Sequence, residues 1–172
     1  MRRIFALVPL ALAACVTPAL TQELAPLDVR HVMQAEINPA IVAIWDVGNN
    51  ASDENGVLDG AQMTPQAWDA IAAAAAELAA SSDRTAAATE IHAASPGNMA
   101  TEDYEVPMTQ VQGYIDADPQ GFRNFAASFA TLSRQLETAA RTRDAATAGE
   151  LVATMDAACA ACHDRYWYAE AQ

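Results

Sequence analysis

Apolar positions recur at intervals of three and four along four stretches of the chain, the spacing that gathers side chains on one face of a helix. The first stretch begins after Asp28, a residue suited to an N-cap, and carries Val29, Val32, Met33, Ile37, Ile41, Ile44 and Trp45. Pro39 lies inside this pattern and lacks the amide for a helical bond, so a kink or break is predicted there, with Gly48-Asn49-Asn50 ending the helix. Thr64-Pro65 announces a second helix, a capping residue followed by proline at the first helical position, with Trp68, Ile71, Ala72, Ala75, Leu78 and Ala79 on its stripe. The cleanest stripe follows Asp118-Pro119: Phe122, Phe125, Phe129, Leu132, Leu136 and Ala139. After a break near Arg143-Asp144, a last helix carries Ala148, Leu151, Val152, Met155, Ala158, Cys159 and Cys162, with Gly149 as a weak spot.

The segments between these stripes read differently. Residues 49–63 are rich in Asn, Asp and Gly, but a calcium loop counted from Asp53 would need glycine sixth and Glu twelfth. Here Gly56 is fourth and residue 64 is Thr, so the segment is predicted to be a solvated turn. Residues 81–117 have weak periodicity broken by Pro96-Gly97 and Pro107, which predicts a long connection with a short helix near residues 85–93. No segment alternates as a strand should. The pattern therefore predicts an all-α fold, an antiparallel four-helix bundle whose long connection passes over one end.

At 172 residues and 52% apolar content, the chain has enough material for one core and too little for two full domains. The predicted organisation is an export signal at residues 1–21 and a single domain at residues 22–172. Met1-Arg2-Arg3 supplies the positive head of the signal, and the apolar run behind it is too short to span a bilayer. Leu12-Ala13-Ala14-Cys15 resembles a bacterial lipobox, in which Cys15 would carry a lipid; the alternative is ordinary cleavage near Ala19 or Thr21, with Cys15 an apolar filler. Both readings predict export to the periplasm, either soluble or held at a membrane through Cys15.

Loss of residues 1–21 removes Arg2 and Arg3 and no acid, leaving seven basic against 22 acidic residues, a net charge of −15. That balance argues against nucleic acid. It can steer a basic protein partner at low salt, or simply keep the protein soluble. Every basic residue is Arg, for which there is no functional account.

With Cys15 in the signal or under a lipid, only Cys159 and Cys162 remain in the domain. Cys159-Ala160-Ala161-Cys162-His163 is the pattern that attaches c-type haem: two thiols add to the porphyrin vinyl groups and the adjoining imidazole binds iron. On a helix, positions three and four apart share a face, so all three groups reach the same macrocycle. A redox disulfide would expect strands around it, and a zinc site would need two more ligands where only His31, His92 and His163 exist. One covalently attached haem c per chain is the expectation.

A haem motif at the C-terminal end of an all-helical chain resembles the cytochrome c′ family, the class II c-type cytochromes. Two segments carry the resemblance: the motif at Cys159–His163 and Arg30-His31-Val32-Met33, similar to an Arg-x-x-Met or Arg-x-x-Leu segment on the family's first helix. It implies a four-helix bundle with haem on the last helix, His163 as proximal ligand, Met33 facing the distal side as sixth ligand, and Arg30 near a haem propionate. Open alternatives are a vacant distal site, His31 as ligand, or Met33 as one more core residue. Met63, Met99, Met108 and Met155 are poorer candidates, and His92 reads as a solvated or capping residue. The ending His163-Asp164-Arg165-Tyr166-Trp167-Tyr168 departs from the family, which puts an aromatic residue and then Arg or Lys there; Tyr166 and Trp167 are read as packing residues. The function so implied is a single-haem electron carrier, not an enzyme, with redox proteins as partners and homodimers common among relatives. The rival readings are a five-coordinate protein that binds nitric oxide or carbon monoxide and, further off, a peroxidase-like haem enzyme using His31.

Overall fold

The computed structural model describes residues 26–103 and 105–167, so the export signal, Cys15 and Tyr168 lie outside the described residues. Helix α1 (Val29–Val32) starts under Asp28, whose carboxylate accepts the His31 amide at 2.9 Å. The backbone then makes one π turn (Met33–Ile37) and continues as α2 (Asn38–Asn50). Of the kink or break expected at Pro39, the break does not occur: the helix runs on, with its irregularity confined to the π turn. In an α-helix the proline would leave the Ala35 carbonyl without a donor and press its ring on that carbonyl. In the π turn the partner lies one residue further on, and the Asn38 amide bonds to the Met33 carbonyl.

Helix α3 (Pro65–Ala87) begins as its sequence suggests, with the Thr64 hydroxyl accepting the Ala67 amide at 3.1 Å. It runs past the point where the pattern places a connection. The short helix expected at 85–93 is instead the end of α3 followed by strand β2 (Ile91–His92), which pairs in parallel with β1 (Leu27–Asp28). Two-residue strands are too short to alternate visibly, which is why the pattern hid them. Helix α4 (Met108–Ala117) is likewise absent from the sequence expectation; Pro107 precedes it, and Met108, Val111 and Ile115 are all buried. Its Gln112 accepts from the Ala93 amide at 2.7 Å and donates to the Ile91 carbonyl at 3.1 Å, so a side chain completes the β2 edge.

Helices α5 (Pro119–Thr142) and α6 (Ala145–Tyr166) follow, each opened by an aspartate. Asp118 accepts from the Gly121 amide at 2.9 Å, and Asp144 from the Thr147 amide at 3.1 Å. Arg143 joins the two helices in the left-handed region at φ 58°. Residues 51–64 form the expected turn: Asp53 accepts the amides of Asn55 and Val57 at 2.8 and 2.9 Å, and Gly56 takes a φ of +78°.

Helix α2 packs on α3, α3 along α5, and α5 against α6. These faces enclose a core of Ile41, Ile44, Trp68, Ile71, Leu78, Leu136 and Met155, each large side chain contributing about 1.5–3 kcal/mol by its removal from water. A second apolar cluster unites Val29, Ile91, Met108, Val111, Ile115, Phe122 and Tyr166. Arg123 of α5 ties the two ends together by donating to the Ala88 and Thr89 carbonyls just beyond α3, at 2.8 and 3.1 Å. Among the described residues no helix is long and apolar enough to cross a membrane.

Candidate functional site

A cavity of about 520 Å³ opens between the first helical rod (residues 29–50), α5 and α6, within the range of small-molecule and cofactor sites. Three sets of helical spacings make its walls. Met33, Ile37, Ile41 and Trp45 come from the first rod, Phe122, Phe125 and Phe129 from α5, and Cys159, Cys162 and His163 from α6. The phenylalanines belong to the stripe that the sequence presents as core, and part of that stripe packs in the clusters and lines the cavity as well. Nothing in periodicity separates the two, because an apolar cofactor wall and a protein core demand the same residues at the same spacing.

On α6, Cys159 and Cys162 are free thiols, each half-buried. Burial pushes both up to about 11, helped by the Asp156 charge beside Cys159 and by Cys159 beside Cys162. A dithiol redox centre works through a depressed thiol pKa, so these surroundings oppose that reading. His163 is exposed within the open cavity, yet the protein around it displaces enough water to lower its pKa, against the pull of Asp164. The shift favours the neutral imidazole, the form that binds a metal. Its ring lies 6.2 Å from that of Trp167, whose amide donates to the His163 carbonyl at 2.7 Å. Trp167 lines the cavity too, while Tyr166 is buried, edge-on to Phe122 at 5.2 Å and Phe125 at 6.0 Å.

Across the cavity stands Met33, half-buried in the π turn. Of the methionines among the described residues it is the one that lines the cavity. Met155 and Met108 are sealed in the two apolar clusters, Met63 is buried in the first, and Met99 is exposed. His31 is exposed away from the cavity lining, and His92 pairs with Glu90 at 2.9 Å. Arg30 also lines the cavity, 8% exposed, with its guanidinium engaged by Glu105 at 3.0 Å and by the carbonyls of Asn98 and Ala100. These bonds pin the segment before α4 to the cavity rim. Glu105 and Trp45 are wall residues that sequence reasoning missed; Trp45 donates to Asp156 at 3.1 Å and so links α2 to α6.

Two unoxidised thiols and an imidazole on one helix, aromatic walls, and a thioether on the facing element form a donor set that fits a covalently held haem. Compared with known protein families, the chain matches the model described as Cytochrome C' over residues 46–167, more than half its length. The matched span includes Cys159, Cys162 and His163 and begins beyond Arg30 and Met33. No significant match was found among curated proteins or among solved structures.

Proposed function

The chain belongs to the cytochrome c′ family, and from that premise we propose that it is a periplasmic, single-haem electron carrier in which His163 and Met33 would ligate the iron. Covalently attached haem c is the family's prosthetic group, and when bound it supplies a one-electron couple at its iron. Cys159 and Cys162 form the thioether links, and His163, next to the second link, offers a neutral nitrogen from the same helix. Phe122, Phe125 and Phe129 keep water from the walls. Met33 offers a soft sulfur, which favours the reduced state and raises the potential. Arg30, already paired with Glu105, is assigned the additional part of meeting a propionate at the rim. The helices are read as an antiparallel four-helix bundle, because α2–α3 and α5–α6 are sequential, packed neighbours, the second pair joined by Arg143 and Asp144 alone.

One observation carries the ligand assignment: among the described residues, Met33 is the methionine and His163 the histidine that line the same cavity. The test is the optical spectrum of the mature holoprotein, oxidised and reduced, for wild type and Met33→Ala. The expected result is a low-spin wild type with a thioether-to-iron charge-transfer band, lost in the variant together with a fall in midpoint potential. A high-spin wild type that ignores the substitution and binds nitric oxide readily would replace this reading with gas binding.

A further inference from the structure

Met33 and Gln34 both line the cavity, and a phase shift in the helix that carries them bears on which of the two is turned inward. At about 100° per residue, an uninterrupted α-helix would bring Gln34, seven residues before Ile41, to within about 20° of the cavity-facing Ile41 direction. Met33, eight residues before, would fall about 80° away, toward the side where Ala40 and Ile44 pack on α3. The structure has the reverse order of exposure. Met33 is half-buried on the cavity wall, whereas Gln34 is exposed at the rim, accepting from Asn98 at 3.3 Å. The π turn at Met33–Ile37 makes the difference, since its one extra residue sets everything before it back by about 100°. Met33 also packs against the second apolar cluster, which includes Val29.

We infer that Pro39 is a positioning residue for the distal ligand: by barring the α register at Ala35, it holds the π turn that aims the Met33 sulfur into the cavity. The inference rests on the Met33 ligation proposed above. Pro39 is itself exposed and absent from the cavity lining, so its influence runs through the backbone alone. Glu36, within the turn, is ion-paired to Arg84 of α3 and anchors the turn to its neighbour. With an amide restored at position 39, the α register becomes available and turns Gln34 fully toward the cavity in place of Met33.

Two holoprotein variants test this. Pro39→Ala is expected to lose at least half of the thioether band and to lower the midpoint potential. Pro39→Ala combined with deletion of Ala35, an exposed residue of the π turn, places Met33 seven positions before Ile41 instead of eight. A plain α-helix then presents Met33 to the cavity, and the band is expected to return. Thermal unfolding is followed in parallel, because a merely structural proline would change the unfolding midpoint in both variants without this loss and recovery. An unchanged band and potential in Pro39→Ala, with the wild-type band still abolished by Met33→Ala, would overturn the inference and leave the ligation standing. A wild type without any Met33-dependent band would overturn both. Should Pro39→Ala fail to fold, the double variant decides: a folded protein with the band supports the inference, and one without it refutes it.

Discussion

Gly121 occupies a point where three groups meet, and no pattern in the sequence marks it. A Cβ there would overlap the Asp118 carboxylate and lie 2.6 Å from the Tyr166 hydroxyl. That carboxylate caps α5, and it also takes Arg165 at 2.5 Å, so α5 and α6 share one acid. Gly121→Ala must displace the cap and is expected to cost about 1–2 kcal/mol, measured by denaturant unfolding. Gly113, on α4, is exposed, and a methyl group added there would meet nothing within 4 Å; Gly113→Ala is expected to gain about 0.5–1 kcal/mol through helix propensity. Equal effects of the two substitutions would refute the close approach at Gly121. The motif residues are legible for the opposite reason to Gly121. Attachment chemistry confines Cys159, Cys162 and His163 to one short run, whereas the crowding at Gly121 joins the neighbouring Asp118 to Tyr166 from the far end of α6.

The helix starts are legible where the chemistry is local. Thr64-Pro65 and Asp118-Pro119 cap and open α3 and α5 as their sequences suggest, because a cap needs only a side-chain oxygen and an amide two or three residues on. Helix α4 is hidden between two prolines, where three apolar positions are too few to establish a period. The β1–β2 pair depends on a partner more than sixty residues distant, and the π turn leaves no mark except the proline that provokes it. The caps also have a pH dependence. Asp118 is held below its ordinary pKa by the Gly121 amide and then by Arg165, and Asp144 by the hydroxyl and amide of Thr147. A depressed carboxylate contributes its stability above the unfolded value of about 3.9 and loses it as pH falls through the lower folded value. Thermal unfolding temperature should therefore drop on acidification below about pH 4, less so in the double variant Asp118→Asn, Asp144→Asn, which keeps acceptors that do not titrate. An identical acid limb in the two proteins would exclude the caps as its source.

Seven basic residues against 22 acidic ones outside residues 1–21 give the molecule a strongly negative field. If electron exchange uses that field, the second-order rate with a basic redox protein should fall by about tenfold or more as ionic strength rises from about 10 to 200 mM, and the rate with an acidic one should rise. Stopped-flow mixing with one partner of each sign measures this; salt-independent rates with both would reduce the charge to a solubility device. The haem motif is readable from five consecutive residues, but its meeting with Met33 is not derivable from spacing, since it needs two ends of the chain and a phase-shifted helix brought together. The place of the motif on α6 also has a consequence in time. A chain that emerges from its N-terminus can pair α2, α3 and α5 before the final helix follows. The segment from Cys159 to Trp167 is thus the last part of the site to be delivered, and the other walls that will shield the cofactor can be assembled before the bonds that retain it are made.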